Sequence, residues 1–192
     1  MRNELIPKAP DTYQAILEAT KDIGFKMPSD KLTGSLLRTL AASKPGGTFL
    51  EMGTGSGLAS SWILEGMDGK ATLTTFDHDE TLLAIAREFL GKDRRLKIVL
   101  MDGEKWVNLN KSQKFDFIFA DTWHGKYLLL EETLSMLQKG GIYIIDDMLP
   151  QPNWPEGHAK KAEELVKYLE NRTDLWLSKL HWSTGIIIAT KR

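Results

Sequence analysis

The sequence predicts a Rossmann-like, doubly wound α/β fold. The expected sheet has seven strands, mostly parallel, with an antiparallel C-terminal hairpin and helices on both faces. Three observations predict it. Short apolar runs alternate with longer amphipathic ones along the chain. The short runs are apolar on both faces, as strands covered on both sides must be, so they are parallel strands joined by helical crossovers. The last two runs are separated by about four residues, a hairpin-length link.

The strands are expected at 48–52, 71–76, 96–101, 115–120 and 142–145. Helical patterns lie between them at 58–65, 80–90 and 127–138, with a short turn at 104–108. Gly140 and Gly141 are expected to end the 127–138 helix, since glycine closes helices in the left-handed conformation. A further helix spans 156–171, and the hairpin pairs 175–180 with 185–190 around Ser183 and Thr184. The segment 11–42 reads as two helices broken near Lys26, Met27, Pro28 and Ser29, with Ser29 or Asp30 as the cap of the second. These helices are expected to pack on the sheet and help cover the site, with Met27 packed in the core or, as the alternative, overlying the ligand.

A chain of 192 residues suits one domain, here 1–192, with 1–45 as the covering helices and 46–192 as the core. Hydrophobic residues at 42% and charged residues at 27% place it in the soluble globular class. A net charge of −1 argues against a nucleic-acid partner. There is no cysteine, which excludes disulfides and thiolate zinc sites. The apolar runs are too short to span a bilayer, and Met1, Arg2, Asn3 and Glu4 show no basic-then-apolar leader. No membrane partner and a cytoplasmic location are therefore expected. The first helices and last strands are candidate homodimer surfaces.

The informative stretch runs from Glu51 through Gly53, Thr54, Gly55 and Gly57, directly after a strand and before a helix. Glycine lets a ligand approach the backbone, and a helix N-terminus offers free N–H groups. A dinucleotide loop wants glycine at its sixth position, where this chain has Leu58. Acids then follow strand after strand: Asp77, Asp102, Asp121, and the pair Asp146 and Asp147. Ligands of open α/β sheets bind outside the carboxyl ends of the strands. Each Asp alone reads as a turn residue; the row of them reads as a site. Asp77 lies 20 positions past Gly57, where an acid accepts hydrogen bonds from a ribose.

These residues resemble the class I S-adenosylmethionine-dependent methyltransferases. Within them the chain is similar to the catechol and caffeoyl-CoA type of small-molecule O-methyltransferases. The stretches 49–57, 115–127 and 140–147 carry the resemblance. It implies S-adenosylmethionine as cofactor, a small, phenol-like acceptor, and methyl transfer to oxygen. It implies that Glu51, Gly53, Thr54, Gly55 and Gly57 wall the methionine half. It places Asp77 and His78 at the ribose, Asp102 and Gly103 at the adenine, and Asp121 beside the cofactor. It also implies that Asp121, Asp146 and Asp147 hold a divalent cation. Their chemistry suits Mg²⁺, which prefers oxygen ligands and leaves positions for water or two acceptor oxygens. The alternative for Asp146 and Asp147 is a solvated strand cap.

Two departures stand out. The family usually has Asn where this chain has Asp147, and a lysine where it has His124. His124 is therefore one candidate base. Lys126 is the other, able to reach in if the chain bulges at Gly125. The proline-rich loop after the fifth strand carries Trp154 and His158, and Trp123 sits beside Asp121. Trp123 and Trp154 are candidate acceptor-wall residues, with His158 a further one beside Trp154; the alternative for both tryptophans is ordinary packing. The competing functions are a metal-free methyltransferase acting on N, O or C, a nucleotide-dependent oxidoreductase, and a cofactor-binding protein without turnover.

Overall fold

The computed structural model describes residues 8–152 and 154–192. The reading of Met1 to Glu4 thus lies outside the described residues. In chain order the elements are α1 (Tyr13–Asp22), α2 (Lys31–Ala42), β1 (Thr48–Met52), α3 (Leu58–Gly66), β2 (Thr72–Asp77), α4 (Glu80–Leu90) and β3 (Leu96–Leu100). They continue with α5 (Gly103–Asn110), β4 (Phe115–Ala120), α6 (Leu130–Met136), β5 (Leu137–Ile145), α7 (His158–Glu170), β6 (Leu175–Leu180) and β7 (Ile186–Lys191).

The seven strands form one sheet in the order β3-β2-β1-β4-β5-β7-β6. Pairs from β3 through β5 are parallel, while β7 runs antiparallel to both β5 and β6. The order reverses between β1 and β4, where the carboxyl ends of the two strands open a crevice.

Alternation along each strand sends its apolar side chains to two cores. Phe49, Phe117, Phe119 and Ile144 pack with α1 to α4 on one face. Leu50, Ile118, Tyr143 and Ile145 pack with α5 to α7 on the other. The N-terminal helices therefore cover one face of the sheet, and Trp62 of α3 is wholly buried there beneath Tyr13. Asp30 caps α2 by accepting from the N–H groups of Leu32 and Thr33. No described helix is long and apolar enough to cross a membrane.

Three elements differ from the sequence reading. The helix expected over 127–138 covers only Leu130–Met136, and Gly140 and Gly141 lie inside β5 instead of closing it. The sheet accounts for this: Leu137 pairs with Phe115 and Ile142 with Phe117, so a bulge absorbs the extra residues, and Gly140 takes φ +74° to make it. The turn expected at 104–108 is a helix of 8 residues, because the Asp102 carboxylate accepts the Lys105 N–H and caps it. Met27 does not pack in the core; it is 68% exposed at the rim of the crevice.

Candidate active site

A cavity of about 650 Å³ opens at the carboxyl ends of β1, β2, β4 and β5. Its floor is the turn between β1 and α3. Gly53, Gly55 and Gly57 all have positive φ, at +96°, +51° and +92°. A side chain at Gly53 would sit 2.8 Å from the Asp121 carbonyl oxygen, so the turn can pass β4 only as glycine. Gly55 faces open space. The Gly53 and Thr54 N–H groups donate to the Phe76 carbonyl, tying the turn to β2.

Asp77 ends β2 and reaches back under this turn. Its Oδ2 accepts the Gly55 N–H at 2.9 Å, and its Oδ1 accepts the His78 and Asp79 N–H groups at 2.7 and 3.1 Å. A carboxylate carries about four lone-pair directions, so acceptor capacity is left for a ligand. From the opposite side, Thr20 of α1 donates to the Ser56 hydroxyl at 2.7 Å. The covering helices are thereby bonded directly to the glycine turn.

At the other end of the cavity lie Asp121, Asp146, Asp147 and Lys126. Lys126 is 5% exposed. Its Nζ stands 3.7 Å from Asp121 Oδ1 and donates to the Asp146 carbonyl oxygen at 2.9 Å. Gly125 sets this geometry. With φ +84° it lies against Met52, where a Cβ would be 2.7 Å from the sulfur, and its carbonyl accepts the Tyr143 hydroxyl. Gly125 lies in a tight turn in which the Tyr127 and Leu128 N–H groups donate to the Trp123 carbonyl, and Lys126 reaches inward from it. Asp121 Oδ2 accepts from Ser29 at 3.2 Å, and Asp146 Oδ1 accepts from Thr184 at 2.5 Å and from the Asp147 N–H at 2.8 Å. Burial pushes the Asp146 carboxyl up to about 7, with the Asp121 charge adding to the effect. Burial raises Asp121 as well, opposed chiefly by Lys126. The backbone of Asp147 is left-handed, with φ +57°.

An aromatic corner closes this end of the cavity. The His158 ring lies 4.3 Å from Trp154, 5.5 Å from Trp123 and 5.3 Å from Tyr127, centroid to centroid. Its Nε2 meets the Tyr127 hydroxyl at 3.2 Å. Its Nδ1 is buried and has no partner among the described residues. Burial, and then the Lys126 charge, lower its affinity for a proton.

Of the residues singled out from sequence, Gly53, Thr54, Gly55, Asp77, His78, Gly103, Asp121, Trp123, His124, Lys126, Asp146, Asp147 and Trp154 all line this cavity. Glu51, Gly57 and Asp102 do not. Glu51 is wholly buried in β1 behind the turn, where Oε2 accepts from Ser60 and Oε1 has no partner among the described residues. Gly57 packs on Ala86 and Leu90 of α4, and Asp102 serves as the cap of α5. His124 is separated from the acid cluster: a Cβ at Gly103 would be 2.5 Å from its Nδ1, so the ring lies over the start of α5.

Sequence reasoning gave Tyr127, Thr184, Ser29 and Lys26 no part here, yet all four line the cavity. Tyr127 sat inside a quoted motif and carried a usable signal. Ser29 and Thr184 come from segments distant in sequence, and only the fold brings them in. Among the described residues no three His, Asp or Glu side chains are arranged to hold a metal ion.

A family model described as a methyltransferase domain matches residues 50–148. A provisionally assigned O-methyltransferase of Mycobacterium avium is 23% identical over 148 residues, covering 72% of this chain and 66% of its own length. The chain thus spans a little under two thirds of that relative. The O-methyltransferase TomG of Streptomyces achromogenes, solved with S-adenosylmethionine, superposes with a TM-score of 0.82 at 17% identity, over 98% of this chain and 92% of its own. An O-methyltransferase of Bacillus cereus, solved with S-adenosylhomocysteine, gives 0.84 at 16% identity, over 98% and 94%. At these identities the likeness shows a shared fold.

Proposed function

The chain belongs to the methyltransferase-domain family, and from that premise we propose that it transfers the methyl group of S-adenosylmethionine to an oxygen of a small acceptor. One observation carries the reading: the glycine turn, Asp77 and the Asp121–Lys126 pair all face one crevice.

In this reading Asp77 accepts the ribose hydroxyls, and Gly103 and His124 border the adenine. The methionine half lies along Gly53 to Gly55. This direction brings the sulfonium toward Asp121, so the acceptor enters between Lys126 and the aromatic corner. Trp123, Trp154, Tyr127 and His158 offer ring faces and edges, which suits a flat, phenol-like acceptor.

The transfer is an in-line displacement. The acceptor oxygen forms the new bond to the methyl carbon, and the carbon–sulfur pair stays on sulfur as a thioether. The Lys126 ammonium stabilises the oxygen as its negative charge develops. The hydroxyl proton passes to the Asp121–Asp146 carboxyl pair, whose hold on a proton burial strengthens. A cation and an anion become neutral products, so the enclosed cavity favours the reaction. The acid cluster as arranged does not fit a divalent ion, and no step uses one.

The test is to incubate the chain with S-adenosylmethionine and a panel of phenols and other hydroxyl compounds, followed by mass spectrometry. Equal amounts of a singly methylated product and S-adenosylhomocysteine support the proposal. Tight binding of the cofactor with no acceptor methylated would defeat it and favour a binding protein.

A further inference from the structure

The cluster that resembles a cation site already contains a cation of the protein's own. Lys126 Nζ is buried between the Asp121 carboxylate and the Asp146 carbonyl oxygen. Two further carboxylate oxygens of the cluster are also engaged. Ser29 takes the second Asp121 oxygen, while Thr184 and the Asp147 N–H both bond Asp146 Oδ1. A small divalent ion would need about six oxygens in near-octahedral array, and it would sit against the ammonium. Gly125 is seated on Met52 and held by Tyr143, so the backbone from which Lys126 reaches inward is fixed.

We infer that Lys126 takes the place of a divalent cation in this chain and that the protein has no cation requirement. This rests on the reading of the cavity as a methyl-transfer site and narrows the acceptor class. A metal gathers two neighbouring oxygens of one acceptor by giving each a coordination position. A single ammonium on a rigid turn fixes one. The acceptor then needs only one hydroxyl, and an adjacent second oxygen confers no advantage.

The experiment is an electron paramagnetic resonance titration of free Mn²⁺ against the 192-residue chain with S-adenosylhomocysteine present. The wild type is expected to leave the free-ion signal intact at millimolar Mn²⁺. Lys126→Met, which frees the carboxylates, is expected to bind at least about tenfold more tightly than the wild type, and the gain is expected to vanish when Asp121→Asn is added. Stoichiometric Mn²⁺ binding by the wild type overturns the inference, as does a folded Lys126→Met with no gain. If that variant does not fold, the wild-type titration decides alone. Calorimetry with S-adenosylhomocysteine on the same sample separates the two proposals. Absence of heat there would defeat the methyl-transfer reading while leaving the cation result standing.

Discussion

The Asp77 carboxylate accepts the backbone N–H of Gly55 across 2.9 Å. This bond ties the tip of β2 to the glycine turn, so the acid proposed to hold the ribose also sets the shape of the turn beneath it. Replacing Asp77 by Ala removes both effects. S-adenosylhomocysteine binding should weaken about 10- to 100-fold, equivalent to about 1–3 kcal/mol, with the circular dichroism spectrum unchanged. Calorimetry measures this; an unaltered affinity would remove Asp77 from the cofactor site.

Two glycines of the same turn should respond differently. Gly53 has φ +96° and its Cβ would press on the Asp121 carbonyl at 2.8 Å, whereas Gly55 meets nothing within 4 Å. Gly53→Ala should destabilise the fold by about 1–3 kcal/mol. Gly55→Ala should keep most of the stability and lose cofactor affinity, because its methyl enters ligand space. Urea unfolding paired with calorimetry distinguishes them.

Glu51 makes stability depend on pH. Burial pushes its carboxyl up to about 8 from an ordinary 4.5, against the Ser60 hydrogen bond that pulls it down. Between these values the folded chain keeps a proton that the unfolded chain has lost. This contribution to stability is complete below about 4.5 and declines as the pH rises toward 8. Glu51→Gln has no such proton to lose. Its melting temperature should fall less than that of the wild type from pH 5 to pH 8, by about 5 °C. Parallel melting curves would contradict the assignment.

Lys126 and His124 should separate by kinetics. Lys126→Met is expected to lower kcat by about 100-fold or more, with S-adenosylhomocysteine affinity held within about threefold. His124→Ala should do the reverse, raising the KM for S-adenosylmethionine with a smaller effect on kcat. Steady-state kinetics with any acceptor found by the mass-spectrometric screen checks both. Equal kcat losses would return His124 to the acceptor end.

Much of this was legible in the sequence for a definite reason. β1 and β4 begin and end where the reading put them, because buried parallel strands are continuous apolar runs with glycine or acid at their ends. The glycine turn and Asp77 were found because spacing alone constrains them. β5 was misread because Gly140 looks the same in a helix stop as in a bulge, and only pairing with Phe115 and Phe117 decides. Which of His124 and Lys126 faces the acid cluster was left open because it depends on the turn at Gly125, which Met52 and Tyr143 fix from other strands. Glu51 reads as a ligand-facing acid, yet strand alternation turns it inward.

The most direct test of the central claim is a crystal structure with S-adenosylhomocysteine. The account predicts ribose hydroxyls within hydrogen-bond distance of the Asp77 carboxylate, the adenine beside Gly103 and His124, and the sulfur pointing to the Asp121–Lys126 end. Density for the nucleoside outside this crevice, or reversed within it with the sulfur beside Gly103, would contradict it.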